Sequence, residues 1–317
     1  MSEFDRIARL SRRFGAPRPP AVGIGHDCAL LPSMNAWTAI SVDASVEGVH
    51  FTREWLSLDQ AAERAVEAAL SDLAAAGASA SGPGTGILSA LAVPPELTDD
   101  EFDALIEGIA RTAERVETTV IGGNLTSASL LSITTTVLGR VDGPRVTRSG
   151  ARVGDLVVVT GCVGAAGLGL AALRAGYRES DARPFVERWT APRARLAEGA
   201  VAARFATAMV DVSDGLAADL GHLCEQSNCA AILDVESLPV LAGHDQLARR
   251  LGCDGHELAL SGGEDYELCF TVASRPPWPL HLVPWTVVGH VVEGSGVFVR
   301  SGGQVAAYRG RGWDHFR

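Results

Sequence analysis

Residues 155–169 read Asp-Leu-Val-Val-Val-Thr-Gly-Cys-Val-Gly-Ala-Ala-Gly-Leu-Gly. The apolar, mostly β-branched run from Asp155 to Thr160 has the composition of a strand covered on both faces. Gly161 to Gly169 is glycine-punctuated, and a helix follows to about Ala175. Buried strand, glycine turn and helix in that order open an α/β unit. The spacing Gly161-x-x-Gly164-x-x-Gly167 is not Gly-x-Gly-x-x-Gly, and no acidic residue follows at the distance a dinucleotide site requires. It reads as a strand-to-helix turn with no nicotinamide site.

Working outward, the first half of the chain carries its own alternation. Strands are expected at 37–43 and 46–51 around Asp43, and an alanine-rich helix at 58–77 ending on Gly77. A strand at 85–93 and a helix at 98–117, opened by Thr98 with acidic residues in its first turn, come next. Strands at 118–122 and 130–140 precede a Val-Asp-Gly-Pro turn at 141–144. The character changes across 144–153, which divides the 317 residues into domains at 1–148 and 149–317. The fold class is α/β (α+β) in two domains.

Composition removes several function classes. The 27 residues of the Lys+Arg count are all arginine. A P-loop, a protein-kinase site and a Schiff base each need a lysine, so metal ions and arginine must meet any phosphate. A net charge of −11 argues against a nucleic-acid groove. Cys28, Cys162, Cys224, Cys229, Cys253 and Cys269 form no Cys-x-x-Cys pair, and read as structural thiols in a reducing cytoplasm. Met-Ser-Glu-Phe-Asp-Arg lacks the apolar region of a signal peptide, and no apolar run approaches the ~18 residues that span a bilayer. No membrane association is expected.

Five aspartates stand where apolar stretches break: Asp27, Asp43, Asp72, Asp211 and Asp214. Gathered by the fold, they make a site for hard cations such as Mg2+, and hence for phosphates. In Asp211-Val-Ser-Asp-Gly-Leu, which follows the strand Ala208–Asp211 and opens the helix Leu216–Ser227, Ser213 or Asp214 serves as an N-cap on the plainest reading. That leaves Asp211 unexplained. Ser261-Gly-Gly-Glu-Asp-Tyr-Glu sets paired glycines before two carboxylates and an alternating strand, and Gly122-Gly123-Asn124 repeats the pattern as a second turn. His50, near Asp43 in sequence, is a core or surface histidine on the plainest reading.

Eight motifs occur in order between about residue 22 and residue 316: Gly-Ile-Gly-His-Asp-Cys-Ala-Leu-Leu, Ser-Val-Asp-Ala-Ser-Val-Glu-Gly-Val-His-Phe, Leu-Ser-Asp-Leu-Ala-Ala-Ala-Gly-Ala, Ile-Gly-Gly-Asn, Thr-Arg-Ser-Gly-Ala, Asp-Val-Ser-Asp-Gly-Leu, Ala-Leu-Ser-Gly-Gly-Glu-Asp-Tyr-Glu-Leu and Trp-Asp-His-Phe. In this order they resemble the thiamine-monophosphate kinase family. The resemblance implies the aminoimidazole-ribonucleotide-synthetase-like fold, with an N-terminal sheet domain that pairs in a homodimer and a C-terminal α/β domain. It implies ATP-dependent phosphorylation of thiamine phosphate to thiamine diphosphate. By motif position, several Mg2+ ions would be held by Asp27, Ser41, the Val42 main chain, Asp43, Asp72, Asn124, Asp211 and Asp214. Gly123, Asn124, Arg148 and Ser213 would contact ATP, and His50, Glu264 and Trp313 the thiamine moiety. Asp43, Asp211 and Arg148 would carry the chemistry.

Two positions depart from the family pattern. His26 precedes Asp27 where the family usually has a second aspartate, and Asn124 replaces the aspartate of Gly-Gly-Asp; Ser127 stands near a frequent arginine. A sister ATP-dependent synthetase would keep the aspartates and differ at His50, Glu264 and Trp313. A non-catalytic nucleotide- or metal-binding paralogue would bind ATP without turnover.

Overall fold

The computed structural model describes residues 3–15, 18–274, 285–310 and 312–313. Asp314, His315 and Phe316 of the terminal motif lie outside the described residues. The first half runs α1 (Glu3–Phe14), β1 (Ala29–Ser33), β2 (Ala36–Val46), α2 (Leu58–Ala75), β3 (Gly86–Val93), α3 (Asp99–Arg115), β4 (Val120–Ser127) and β5 (Ser132–Val141). Its five strands form one sheet in the order β1-β2-β5-β3-β4, antiparallel except for β3 with β4. Strand β5 alternates, with Ile133, Thr135, Val137 and Val141 buried under α2, and Thr134 and Thr136 toward the other face.

The second half runs β6 (Leu156–Thr160), α4 (Ala165–Arg174), α5 (Arg183–Thr190), α6 (Leu196–Ala202), β7 (Ala208–Asp211), α7 (Leu216–Ser227), β8 (Ala230–Asp234), α8 (His244–Leu251), α9 (Gly255–Ser261), β9 (Leu268–Val272), β10 (Trp285–Val292), β11 (Gly296–Ser301) and β12 (Gln304–Ala307). These strands form a second sheet, β12-β11-β8-β10-β6-β9-β7. Val157, Val158 and Val159 of β6 are fully buried, as a β-branched run in an inner strand requires.

Helix α2 belongs to both halves. Gln60 accepts from the Ser57 amide at 3.1 Å to open it, and Gly77 at φ +65° ends it. Its leucine face covers the first sheet, while Ala74 and Ala75 join a core with Met209 and Phe270 of the second. Gly199 of α6 passes so close that a Cβ there would lie 2.1 Å from the Ala74 carbonyl oxygen. Small side chains on both helices therefore bring the end of β7 beside the C-terminal half of α2. Helix α3 opens on a reciprocal capping box, Thr98 Oγ1 accepting from the Glu101 amide at 3.3 Å and Glu101 from the Thr98 amide at 2.9 Å.

Three expectations need correction. Residues 46–51 are not a second strand: β2 continues unbroken to Val46, and Gly48 at φ +79° then turns the chain so that the His50 amide donates to the Val46 carbonyl at 2.9 Å. Gly122-Gly123-Asn124 is not a turn but the middle of β4. Gly123 is needed there because a Cβ would sit 1.8 Å from the Ser89 carbonyl oxygen of β3. The strand after Glu264-Asp265 does not alternate; Leu268 to Val272 are all buried, since β9 lies between β6 and β7.

Candidate active site

The site lies where α2 meets the loop before β1, the middle of β2 and the end of β7. Asp27, Asp72 and Asp211 each bring an oxygen within 4.8 Å of the others. Asp211 is the last residue of β7, and Asp72 faces it from α2. Ser71 Oγ donates to Asp211 Oδ2 at 2.7 Å, and Ser41 of β2 donates a short hydrogen bond to Asp72 Oδ2. Arg148 donates to Asp27 Oδ1 from Nη2 at 2.7 Å and from Nε at 3.1 Å. The Cys28 thiol donates to the Asp72 carbonyl at 3.3 Å.

Electrostatically the trio is overloaded with negative charge. Burial, and then the Asp211 and Asp27 carboxylates, push Asp72 well above the ordinary range. Burial, and then Asp27, push Asp211 up to about 7, although Ser71 and Arg148 pull it down. Burial works against the Arg148 charge, yet Asp27 beside it holds the guanidinium above its usual value. Asp43 adds to the repulsion on Asp72, and Asp214 to that on Asp211. The oxygens of Asp27, Asp72 and Asp211 are hard donors close enough together that they could hold a divalent cation such as Mg2+.

The loop after β7 is held from behind. Asp219, 2% exposed on α7, accepts at one oxygen from the amides of Ser213, Asp214 and Gly215, each at 3.1 Å. These amides are turned to a carboxylate of the chain itself, so helix α7 does not present them to phosphate. Asp265 does the same at α4, accepting from the Gly164 amide at 2.5 Å and the Ala166 amide at 2.9 Å. Burial pushes Asp265 up to about 7 in spite of those bonds. The glycine turn at 161–167 is thus closed by Asp265, in keeping with its reading as a structural turn.

The other predicted residues divide into two groups. Asp43 accepts from the Ala44 amide at 2.7 Å, and His50 Nδ1 accepts from the Val46 amide at 3.0 Å. The Val42 side chain is 64% exposed on the open face of the sheet, which leaves its main chain as the only part able to serve the site. The Ser213 carbonyl accepts from the Glu264 amide at 2.7 Å, and the Asp214 carbonyl from the Trp313 amide at 3.2 Å. Glu264, at φ +68°, accepts from Arg64 and from Trp189 Nε1. Gly123 and Asn124 are not brought to the trio within the chain. Ladder pairs run from Asp43 through Thr135 and Ser89 to Gly123, three strands away, and Asn124 sits in the neighbouring row with Ala90 and Thr134 on the open face.

Ser71, Asp219, Arg64 and Trp189 were missed. Ser71 carried a signal, a small hydroxyl inside an alanine-rich helix beside Asp72, where serine is not favoured by propensity. Asp219 looked like an ordinary acidic residue in a first helical turn.

Residues 25–141 match the family described as AIR synthase related protein, N-terminal domain, and residues 152–302 match its C-terminal domain. The chain is 37% identical to thiamine-monophosphate kinase of Salmonella typhimurium over 331 residues, covering 99% of this chain and 98% of that one. It is 35% identical to the thiamine-monophosphate kinase of Bacillus subtilis over the whole of both chains. The solved structure of AaThiL complexed with AMPPCP and TMP superposes with a TM-score of 0.89 at 29% identity, over 99% of this chain and 97% of that one.

Proposed function

This chain belongs to the thiamine-monophosphate kinase family, and from that membership we propose that it transfers the γ-phosphoryl group of ATP to thiamine phosphate, forming thiamine diphosphate and ADP. The observation that carries the reading is the meeting of Asp27, Asp72 and Asp211, drawn from both halves of the chain.

The acceptor is a phosphate whose second pKa is near 6, so it is largely dianionic at neutral pH and needs no general base. The obstacle is repulsion between two anions brought together. Asp27, Asp72 and Asp211 would hold Mg2+, with Asp43, Asp214, the Ser41 hydroxyl and the Val42 main chain around them. Bound Mg2+ supplies the positive charge that neutralises the two phosphates. Ser71 and Ser41 orient the carboxylates of Asp211 and Asp72. Arg148, locked on Asp27, is the guanidinium that would face a phosphate of ATP, and Ser213 lies on the loop that Asp219 fixes. His50, Glu264 and Trp313 would meet the thiamine moiety, the Trp313 ring stacking on the thiazolium cation.

The exposed apolar edge of the first sheet supports the homodimer reading: Val120, Ile121 and Leu125 of the edge strand β4 are 42–59% exposed. No described helix is long and apolar enough to cross a membrane, and the cytoplasm is the compartment the reading assigns. The test uses ATP labelled in its γ-phosphate. Label in the terminal phosphate of thiamine diphosphate, one per ADP released, is expected; label only in inorganic phosphate would refute the transfer.

A further inference from the structure

Arg64, Ser71 and Asp72 lie at positions i, i+7 and i+8 of α2, on one face of the helix. Ser71 and Asp72 serve the carboxylate trio. Arg64, 3% exposed, serves a second point two turns earlier. Its Nη1 donates to the Trp189 carbonyl, its Nη2 to Glu264 Oε1, and its guanidinium lies 4.5 Å from the centre of the Trp189 ring. Trp189 Nε1 donates to Glu264 Oε2 at 2.7 Å, and the Trp55 ring packs edge-on against it at 5.9 Å. A non-glycine residue at φ +68° is costly, so the backbone of Glu264 is imposed by what surrounds it.

We propose that Arg64 and Trp189 are positioning residues that hold the Glu264 carboxylate to read a hydrogen-bond donor of the thiamine moiety, instead of its positive charge. The proposal rests on reading Glu264 as a contact of that moiety. With one guanidinium at Oε1 and one indole N–H at Oε2, the plane of the carboxylate is fixed and its charge is already matched. Each oxygen retains a further lone pair. The donor that suits it on thiamine is the exocyclic amine of the aminopyrimidine ring. A site built around such a donor rejects an analogue that lacks it.

The experiment compares kcat/KM for thiamine phosphate with that for its analogue carrying an oxo group in place of the amine. Wild type is expected to prefer thiamine phosphate strongly. Trp189→Phe keeps an aromatic ring against Arg64 and removes the indole N–H together with the five-membered part of the ring; Arg64→Met removes the charge, and Arg64→Lys keeps the charge without the guanidinium fork. In Trp189→Phe and Arg64→Met the preference should fall by roughly tenfold or more, with KM for ATP unchanged. An unchanged preference in folded Trp189→Phe would overturn the proposal, as would a wild type that does not discriminate, and Trp189→Phe alone decides the matter should Arg64→Met not fold. Glu264→Gln separates the two levels. If it leaves KM for thiamine phosphate untouched, Glu264 is not a substrate contact at all; if it abolishes the preference while Trp189→Phe keeps it, only the positioning role falls.

Discussion

Ser71 Oγ and Asp211 Oδ2 are 2.7 Å apart in the fold and belong to residues 140 positions apart in the chain. The bond ties α2 to the end of β7, so the carboxylate trio and the packing of the two halves share one joint. Ser71→Ala leaves a buried carboxylate oxygen without its donor, at a cost of about 1–3 kcal/mol. Ser71 also pulls the Asp211 titration down. The variant should therefore need more Mg2+ for half-maximal rate at pH 7, which a metal titration of the rate measures beside a denaturant melt.

Asp43→Asn and Asp211→Asn should each remove most activity while leaving the metal-free fold as stable as wild type or slightly more so. Each takes one negative charge from a crowded group and one ligand from the cation. Thermal melting read beside kinetics checks both halves, and near wild-type turnover in either variant would remove that aspartate from the ligand set.

The pH dependence of stability has a definite sign. Asp211 and Asp265 are both pushed up to about 7, above the ~3.9 of an unfolded chain. Their stabilising contribution is present below the unfolded value and is lost as pH rises through about 7. Metal-free protein should melt at progressively lower temperature from pH 5 to pH 8, and saturating Mg2+ should remove the part of that fall due to Asp211 while leaving the part due to Asp265. A metal-free melting temperature that rises over this range would contradict the assignment.

Trp313→Ala should raise KM for thiamine phosphate about tenfold, the 1–2 kcal/mol of a partly desolvated cation–π contact, with little change for ATP. The Trp313 side chain is 49% exposed, so its removal exposes little new surface and should hardly move the melting temperature. Equal changes for both substrates with a lowered melting temperature would make Trp313 an anchor of the terminal segment.

Much of this was legible in the residues. Asp27, Asp72 and Asp211 could be named because each breaks an apolar stretch, and the helix at 216–227 matches α7 in both bounds. The placement of Gly123 and Asn124 was not legible, because a Gly-Gly pair reads alike whether it turns a chain or lets two parallel strands approach. The clamps formed by Asp219 and Asp265 were hidden for another reason. Local pattern shows which residues can accept a hydrogen bond, but not that three amides of the loop after β7 will converge on one oxygen, or that Asp265 will close a helix about 100 residues earlier.

The most direct measurement is ADP release by the purified protein with ATP and excess Mg2+, with and without thiamine phosphate. Release that depends on thiamine phosphate, is abolished by chelation and is lost in Asp211→Asn is the predicted result. Release unchanged by thiamine phosphate in folded, Mg2+-loaded protein would contradict the assignment of Asp27, Asp72 and Asp211 to phosphate-to-phosphate transfer.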